Sequence, residues 1–264
     1  MELVSAIKMK KSQQKAIEGK TYRNLLSFII EKIIASGIDK SYSLLLSSVN
    51  SQIEKEAVIL ISSNKGLCGG FNFNLFRFLV KEVNFNKTDF ITIGAKGAIF
   101  IKKMGGRVIA DFSSLYQEDR VSAVFKTVLD LFLKGNYGRV YLIYNRFLTA
   151  IKSEPIKKQI LPISVDQNKF QLQDNKTIIG EYLVEPSPEK IFDSVLRSLV
   201  EEQIREALID SEAAEHSARM MAMKNATNNA QDVIYNLTLL RNRVRQEKIT
   251  YELLDMVTAK ESVE

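Results

Sequence analysis

The sequence predicts an α/β protein in which a mostly parallel sheet domain is inserted between N- and C-terminal helices that form an antiparallel coiled coil. Three observations carry this. The last 76 residues, Glu189 to Glu264, contain no proline and no glycine. Counting back from Val244, apolar residues fall at Leu240, Leu237, Val233, Ala230, Ala226 and Met223, in steps of 4, 3, 4, 3, 4 and 3. That spacing marks a coiled-coil seam rather than a broad amphipathic face. Between the two terminal helical stretches, short β-branched runs alternate with glycine turns and helical patterns. A helix of this length cannot bury one stripe against a compact domain, so it projects and needs a second helix along it.

Each element follows in order. Met1 to about Ser36 reads as helix, from Leu3, Val4, Ile7, Ala16, Ile17, Leu25, Leu26, Ile29, Ile30, Ile33 and Ile34, with Gly37 placed just past its end. Asp39 to Glu56 is polar and reads as a connection. Val58-Ile59-Leu60-Ile61 is a strand that runs into Asn64-Lys65-Gly66-Leu67-Cys68-Gly69-Gly70, and a helical pattern follows from Phe73 to Val83. Phe90 to Ile93 is a second strand, followed by Gly94-Ala95-Lys96-Gly97 and a helical pattern to Met104. Leu115 to Lys134 is helix-like, and Val140 to Tyr144 is a further strand. Pro155 to Val165 reads as an added edge strand with prolines at its margins. Glu185-Pro186-Ser187-Pro188 breaks the chain before the long helix, with Ser187 as its N-cap. The domains are therefore 1–50 for the N-terminal helix, 51–186 for a Rossmann-like α/β domain and 187–264 for the C-terminal helix. After Val244 the phase slips to Ile249, Leu253 and Met256, so the far end of the C-terminal helix is expected to outrun its partner.

Composition excludes several classes. Leu25 to Ile34 is the longest strongly apolar stretch; Ser27, Glu31 and Lys32 break it, and it is too short to span a bilayer. No signal-peptide core precedes a cleavage site. With one cysteine, Cys68, and one histidine, His216, no internal disulfide and no Cys/His zinc cluster can form. The formal charge of +6 suits an acidic partner without implying nucleic acid.

Glycines after a strand can cradle phosphate, which raises a nucleotide reading for Gly66 to Gly70. The details oppose it. The loop has neither Gly-x-Gly-x-x-Gly nor Gly-Lys-Ser/Thr, and Gly94 stands where an acidic residue would end the next strand. A close-packed structural turn is the favoured reading. Cys68 reads as an inert thiol, since the histidine lies on the distant rod, and His216 reads as an interface residue among alanines. No carboxylate pair is marked out for acid/base work. Lys8, Lys10, Lys11 and Lys15 near the chain start, and Arg241, Arg243, Arg245 and Lys248 near its end, would lie towards one end of an antiparallel hairpin. Each alone reads as a solvated charge; together they suit an acidic protein surface or, less well, a nucleic acid. Two other classes stay open: a dinucleotide- or phosphate-binding enzyme with a helical appendage, and a basic coiled-coil interaction or nucleic-acid-binding protein.

The stretch Glu215-His216-Ser217-Ala218-Arg219-Met220-Met221-Ala222-Met223-Lys224-Asn225-Ala226-Thr227-Asn228-Asn229-Ala230 resembles the signature of the ATP synthase gamma subunit. So do Gly66-Leu67-Cys68-Gly69-Gly70-Phe71-Asn72, Arg245-Gln246 with Ile249-Thr250 and Glu252, and Met1 to Lys11. The resemblance covers essentially the whole chain in order. Asn64 and Asn228 stand where the family usually or often has Asp. The family's first helix begins about twenty residues earlier, which at 1.5 Å per residue is roughly 30 Å of shaft; the expectation is that the natural chain starts upstream of Met1.

The resemblance implies a non-catalytic central rotor in an F-type, proton-transporting ATP synthase, without cofactor. Its coiled coil would stand inside a ring of alpha and beta subunits, and its α/β domain would sit on the membrane c-ring beside epsilon. It would meet no nucleic acid, and the membrane only through the complex. By position, Arg245, Gln246, Thr250 and Glu252 resemble residues that contact beta, and Lys8 and Lys11 are candidates for a basic belt facing it. Tyr182 and Glu185 resemble foot residues facing the membrane ring and epsilon. The lack of a transit peptide or regulatory cysteine pair suits a bacterial protein, peripheral on the cytoplasmic face of the inner membrane.

Overall fold

The computed structural model describes residues 1–35, 45–46, 53–114, 117–163 and 188–262. Tyr182, Glu185, the Ser187 cap and both domain boundaries expected from the sequence lie outside the described residues. The elements run α1 (Glu2–Ala35), β1 (Glu56–Ile61), α2 (Phe71–Glu82), β2 (Thr88–Ile93), α3 (Ala95–Lys103), β3 (Arg107–Asp111), α4 (Gln117–Leu133), β4 (Arg139–Phe147), β5 (Ser153–Leu161) and α5 (Pro188–Glu261).

The five strands lie in the order β3-β2-β1-β4-β5. β3, β2, β1 and β4 are parallel, and β5 closes the edge antiparallel to β4. Apolar runs such as Val58-Ile59-Leu60-Ile61 are continuous because both faces of the sheet are covered. Alternation along each strand sorts the side chains. Val58, Leu60, Phe90 and Ile143 meet α2 and α3 on one face. Ile59, Ile61, Ile91, Ile93 and Leu142 meet α4, Ile30 of α1 and the first third of α5 on the other. The sequence reading omitted β3. It is a five-residue edge strand with one neighbour and no fully buried residue, too short and too wet to announce itself by pattern.

The turn from β2 into α3 needs glycine. At Gly94 φ is +116°, and a Cβ there would lie 2.1 Å from the Ser62 carbonyl oxygen. Ser62 Oγ donates to the Gly94 carbonyl (3.1 Å) and accepts from the Gly97 amide (2.8 Å), fastening the start of α3 to the end of β1.

α1 and α5 pack antiparallel, Arg23 reaching Glu202 and Glu206 while Met1 to Leu3 lie beside Met223 to Ile234. The α5 seam read from the sequence begins against α1, where Met223, Ala226 and Ala230 line a groove with Met1 to Leu3. On α1 the seam comprises Ser5, Met9, Ser12, Ala16, Gly19, Arg23, Leu26 and Ile30, all buried or half-buried at 4,3 spacing. Leu3, Val4, Ile7, Ile17 and Leu25 face outward, at 52–78% exposure. Small side chains at a seam let two helix axes approach closely, whereas a leucine stripe would hold them apart. The stripe Val233, Leu237, Leu240 and Val244 on α5 has no partner among the described residues. Among the described residues, Ile234 is the last α5 position to line a groove with Met1 to Leu3.

Candidate functional site

The region that answers to the sequence motifs is a collar where α5 crosses the C-terminal ends of β1 and β4. The glycine loop after β1 turns through Leu67 (φ 62°) and Gly69 (φ 54°). Its interior is filled from its own side: Asn72 Oδ1 accepts from the Ser63 amide, and Asn72 Nδ2 donates to Ser63 Oγ at 2.7 Å. Asn72 Nδ2 also lies 3.3 Å from Cys68 Sγ. A Cβ on Gly69 would touch Ala218 and Ala222 of α5, so what the loop cradles is a helix. Cys68 is buried with Phe71 and Ala214, against Phe147 and Ala218. Asn64 ties the loop to its neighbours: its Oδ1 accepts from the Ala95 amide and its Nδ2 donates to the Ser113 carbonyl. An aspartate could not make the second bond, so the amide here is more than an isostere.

Arg219 is 7% exposed. Its guanidinium pairs with Glu215 at 2.6 Å and donates to the carbonyls of Lys65 and Gly66 at 3.3–3.4 Å. It also meets His216 Nδ1 at 3.3 Å. Burial, then the charges of Arg219 and Lys8, push the His216 imidazole down to about 4, so at neutral pH the ring is uncharged and accepts. Ser217 Oγ donates to the Ala150 carbonyl in the turn after β4. Sequence reasoning passed over Ser217 and Arg219 as single residues. The available signal was the Ala214, Ala218, Ala222 spacing, which marks a face against which something packs closely.

Lower on the rod, Arg23 bridges to Glu202 (3.6 Å) and Glu206 (3.3 Å), and Lys158 of β5 reaches Glu206 at 3.4 Å. Asp210 lies near this group. Burial, then the Glu206 charge, push its carboxyl up to about 6 despite Arg23, Arg146 and Lys158.

The far part of α5 carries the expected contact residues. Arg245, Gln246, Thr250 and Glu252 are all exposed. Thr250 Oγ1 donates to the Gln246 carbonyl at 2.9 Å, and Lys248 lies 3.8 Å from Glu252. Lys8 and Lys11 are exposed on α1. The two basic groups do not share an end. Lys8 lines a groove with Ser211, Glu212, Glu215 and His216 at the collar. Arg241 lies 25 residues beyond His216, about 38 Å along the helix. The antiparallel register sets this: α1 and α5 residues that meet have numbers summing to about 225, so Lys8 faces the neighbourhood of residue 217, not 241.

A family model described as ATP synthase matches residues 1–263. The ATP synthase gamma chain of Heliobacterium modesticaldum is 32% identical over 263 residues, covering 97% of this chain and 90% of that one. Among solved structures, a chain of the Tetrahymena thermophila mitochondrial ATP synthase central stalk and c-ring superposes with a TM-score of 0.60 at 22% identity, over 86% of this chain and 97% of that chain. A chain of the Euglena gracilis mitochondrial ATP synthase does so with 0.60 at 17% identity, over 97% and 94%. At those identities the superpositions speak for the fold; the sequence matches speak for descent. Together with a rod gripped at a glycine-loop collar, they show that the chain belongs to the ATP synthase gamma-chain family, the central rotor shaft of the F-type enzyme.

Proposed function

We propose that the chain turns inside a ring of alpha and beta subunits while its α/β domain rides on the membrane c-ring beside epsilon, as a peripheral component on the cytoplasmic face of a bacterial inner membrane. The observation that carries this reading is the match to the gamma-chain family along residues 1–263. A rod gripped by the α/β domain at the collar fits a shaft on a base, and the far part of α5 carries an apolar stripe and a set of cations. The chain performs no chemistry itself. It acts as an asymmetric shaft whose different faces meet successive beta subunits, and only a difference in contact free energy between two states of a site can shift that site.

Arg245, Gln246, Thr250 and Glu252 are the residues assigned to beta, with Lys8 and Lys11 lower on the rod. Tyr182 and Glu185 are assigned to the ring and epsilon. Among the described residues no helix is long and apolar enough to cross a membrane, which fits attachment through the complex. Co-expression with alpha and beta subunits, followed by native mass measurement and ATP-driven rotation of an attached bead, tests the reading. One copy per rotating complex is expected; a chain that never assembles would refute it. Within that complex Gln246→Leu is expected to lower ATP-driven torque while the isolated chain keeps its melting temperature. Undiminished torque would remove Gln246 from the contact set.

A further inference from the structure

We infer that Ser217 and Arg219 are positioning residues that fix the angular register of the shaft on its base, and that their hydrogen bonds to two loop backbones supply torsional stiffness at the collar, beyond the segment of α5 packed in the core. This rests on the rotor reading and deepens it. The sheet order places a topological switch point between β1, whose chain continues outward through α2 to β2, and β4, its parallel neighbour on the other side. In open α/β sheets the crevice beyond the strand ends at that point is where ligands sit. Here the crevice is filled by α5, at Ala214, Ser217, Ala218, Arg219 and Ala222.

The grip is two-sided. Residues two apart on a helix point about 200° apart. Ser217 therefore donates to the Ala150 carbonyl after β4 from one side, while Arg219 donates to the Lys65 and Gly66 carbonyls after β1 from the other. A helix rolling about its own axis must break one set or the other. Phe192, Leu196, Val200, Ile204 and Leu208 lock the first third of α5 into the core, but at the collar the packed face is Ala214, Ala218 and Ala222, which present a nearly smooth cylinder. Glu215 supports the clamp by holding the guanidinium at 2.6 Å, and His216, uncharged at neutral pH, adds no repulsion. Among the described residues α5 is almost wholly exposed from Lys224 onward, just past the collar.

The test uses the assembled complex, immobilised through its ring, with a bead on the base at the exposed position Lys103→Cys. The width of the angular distribution in each ATP-waiting dwell reports the torsional softness between shaft and base. Arg219→Ala is expected to at least double the angular variance and to reduce ATP-driven ion pumping several-fold, while ATP hydrolysis by the complex without its membrane sector stays near wild type. Arg219→Lys keeps the pair with Glu215 but offers a compact donor, and restores part of the stiffness. Ser217→Ala removes only a hydroxyl; it broadens the dwells less, and it carries the comparison if Arg219→Ala does not assemble. Unchanged dwell widths in Ser217→Ala and in whichever Arg219 variants assemble would overturn the inference even where melting temperatures fall. An unmodified complex that does not rotate would instead sink the rotor reading.

Discussion

Asp210 and His216, six residues apart on α5, are both driven towards neutrality by the interface they occupy, with opposite consequences for stability. His216 is lowered from 6.5 to about 4. Its contribution is present above pH 6.5 and is lost as pH falls through the interval to about 4, because only the unfolded chain takes up the proton there. Asp210 is raised from 3.8 to about 6. Its contribution is present below 3.8 and is lost as pH rises towards 6, because only the unfolded carboxyl releases its proton freely. The two slopes oppose each other between pH 4 and 6. Asp210→Asn is expected to raise the melting temperature above about pH 6 and to leave it unchanged below about pH 4. His216→Gln should flatten the acid side instead. Thermal melts across that range check both, and identical curves for the three proteins would refute the assignment. At this scale the sequence was readable for the setting of Cys68, expected to be a packed thiol in the glycine loop. Cys68 is packed among Phe71, Phe147 and Ala214, as an inert thiol would be. It was unreadable for Arg219, whose role depends on carbonyls 153 and 154 residues away.

Among the elements, strands covered on both faces announced themselves by unbroken β-branched runs, and the glycine turns after β1 and β2 fell where expected. The rod was legible as two antiparallel helices, but apolar spacing marks a stripe without saying what lies against it. The α1 seam uses serine, glycine and arginine, residues that a search for leucines passes over. Two glycines make this concrete. Gly94→Ala must push a methyl into the Ser62 carbonyl at an unfavourable φ, and is expected to cost about 3 kcal/mol or more. Gly19 lies in the α1 seam, where a Cβ would meet the far end of the long Arg23 side chain at 3.0 Å. That end can shift by a few tenths of an ångström, so Gly19→Ala should gain up to about 1 kcal/mol from helix propensity. Chemical denaturation of both variants checks the contrast. A destabilised Gly19→Ala would mean that the Arg23 bridges to Glu202 and Glu206, in their largely buried setting, hold the guanidinium in place.

For the molecule as a whole, α5 is 74 residues, about 110 Å of helix, and only its first half is backed by sheet and α1. Helices draw most of their stability from tertiary packing. Amide exchange in the isolated chain is therefore expected to be slow from about Phe192 to Met223 and fast from Lys224 onward, with the second segment becoming protected in the assembled complex. Uniform protection along α5 in the isolated chain would contradict this. Partner identity and the residues that would touch partners rest on resemblance alone, since an exposed helix bears no mark of what encloses it.

The filled switch-point crevice has one more consequence. A diffusible ligand competing for that position faces an occupant tethered in the same chain, whose effective concentration does not fall when metabolite levels do. With the collar as the seat of stiffness between shaft and base, a nucleotide meets no vacant crevice there through which to alter it. A drive train that softened or tightened with its own fuel would change gear ratio with the energy state of the cell; this one carries its crevice ligand as a covalent part.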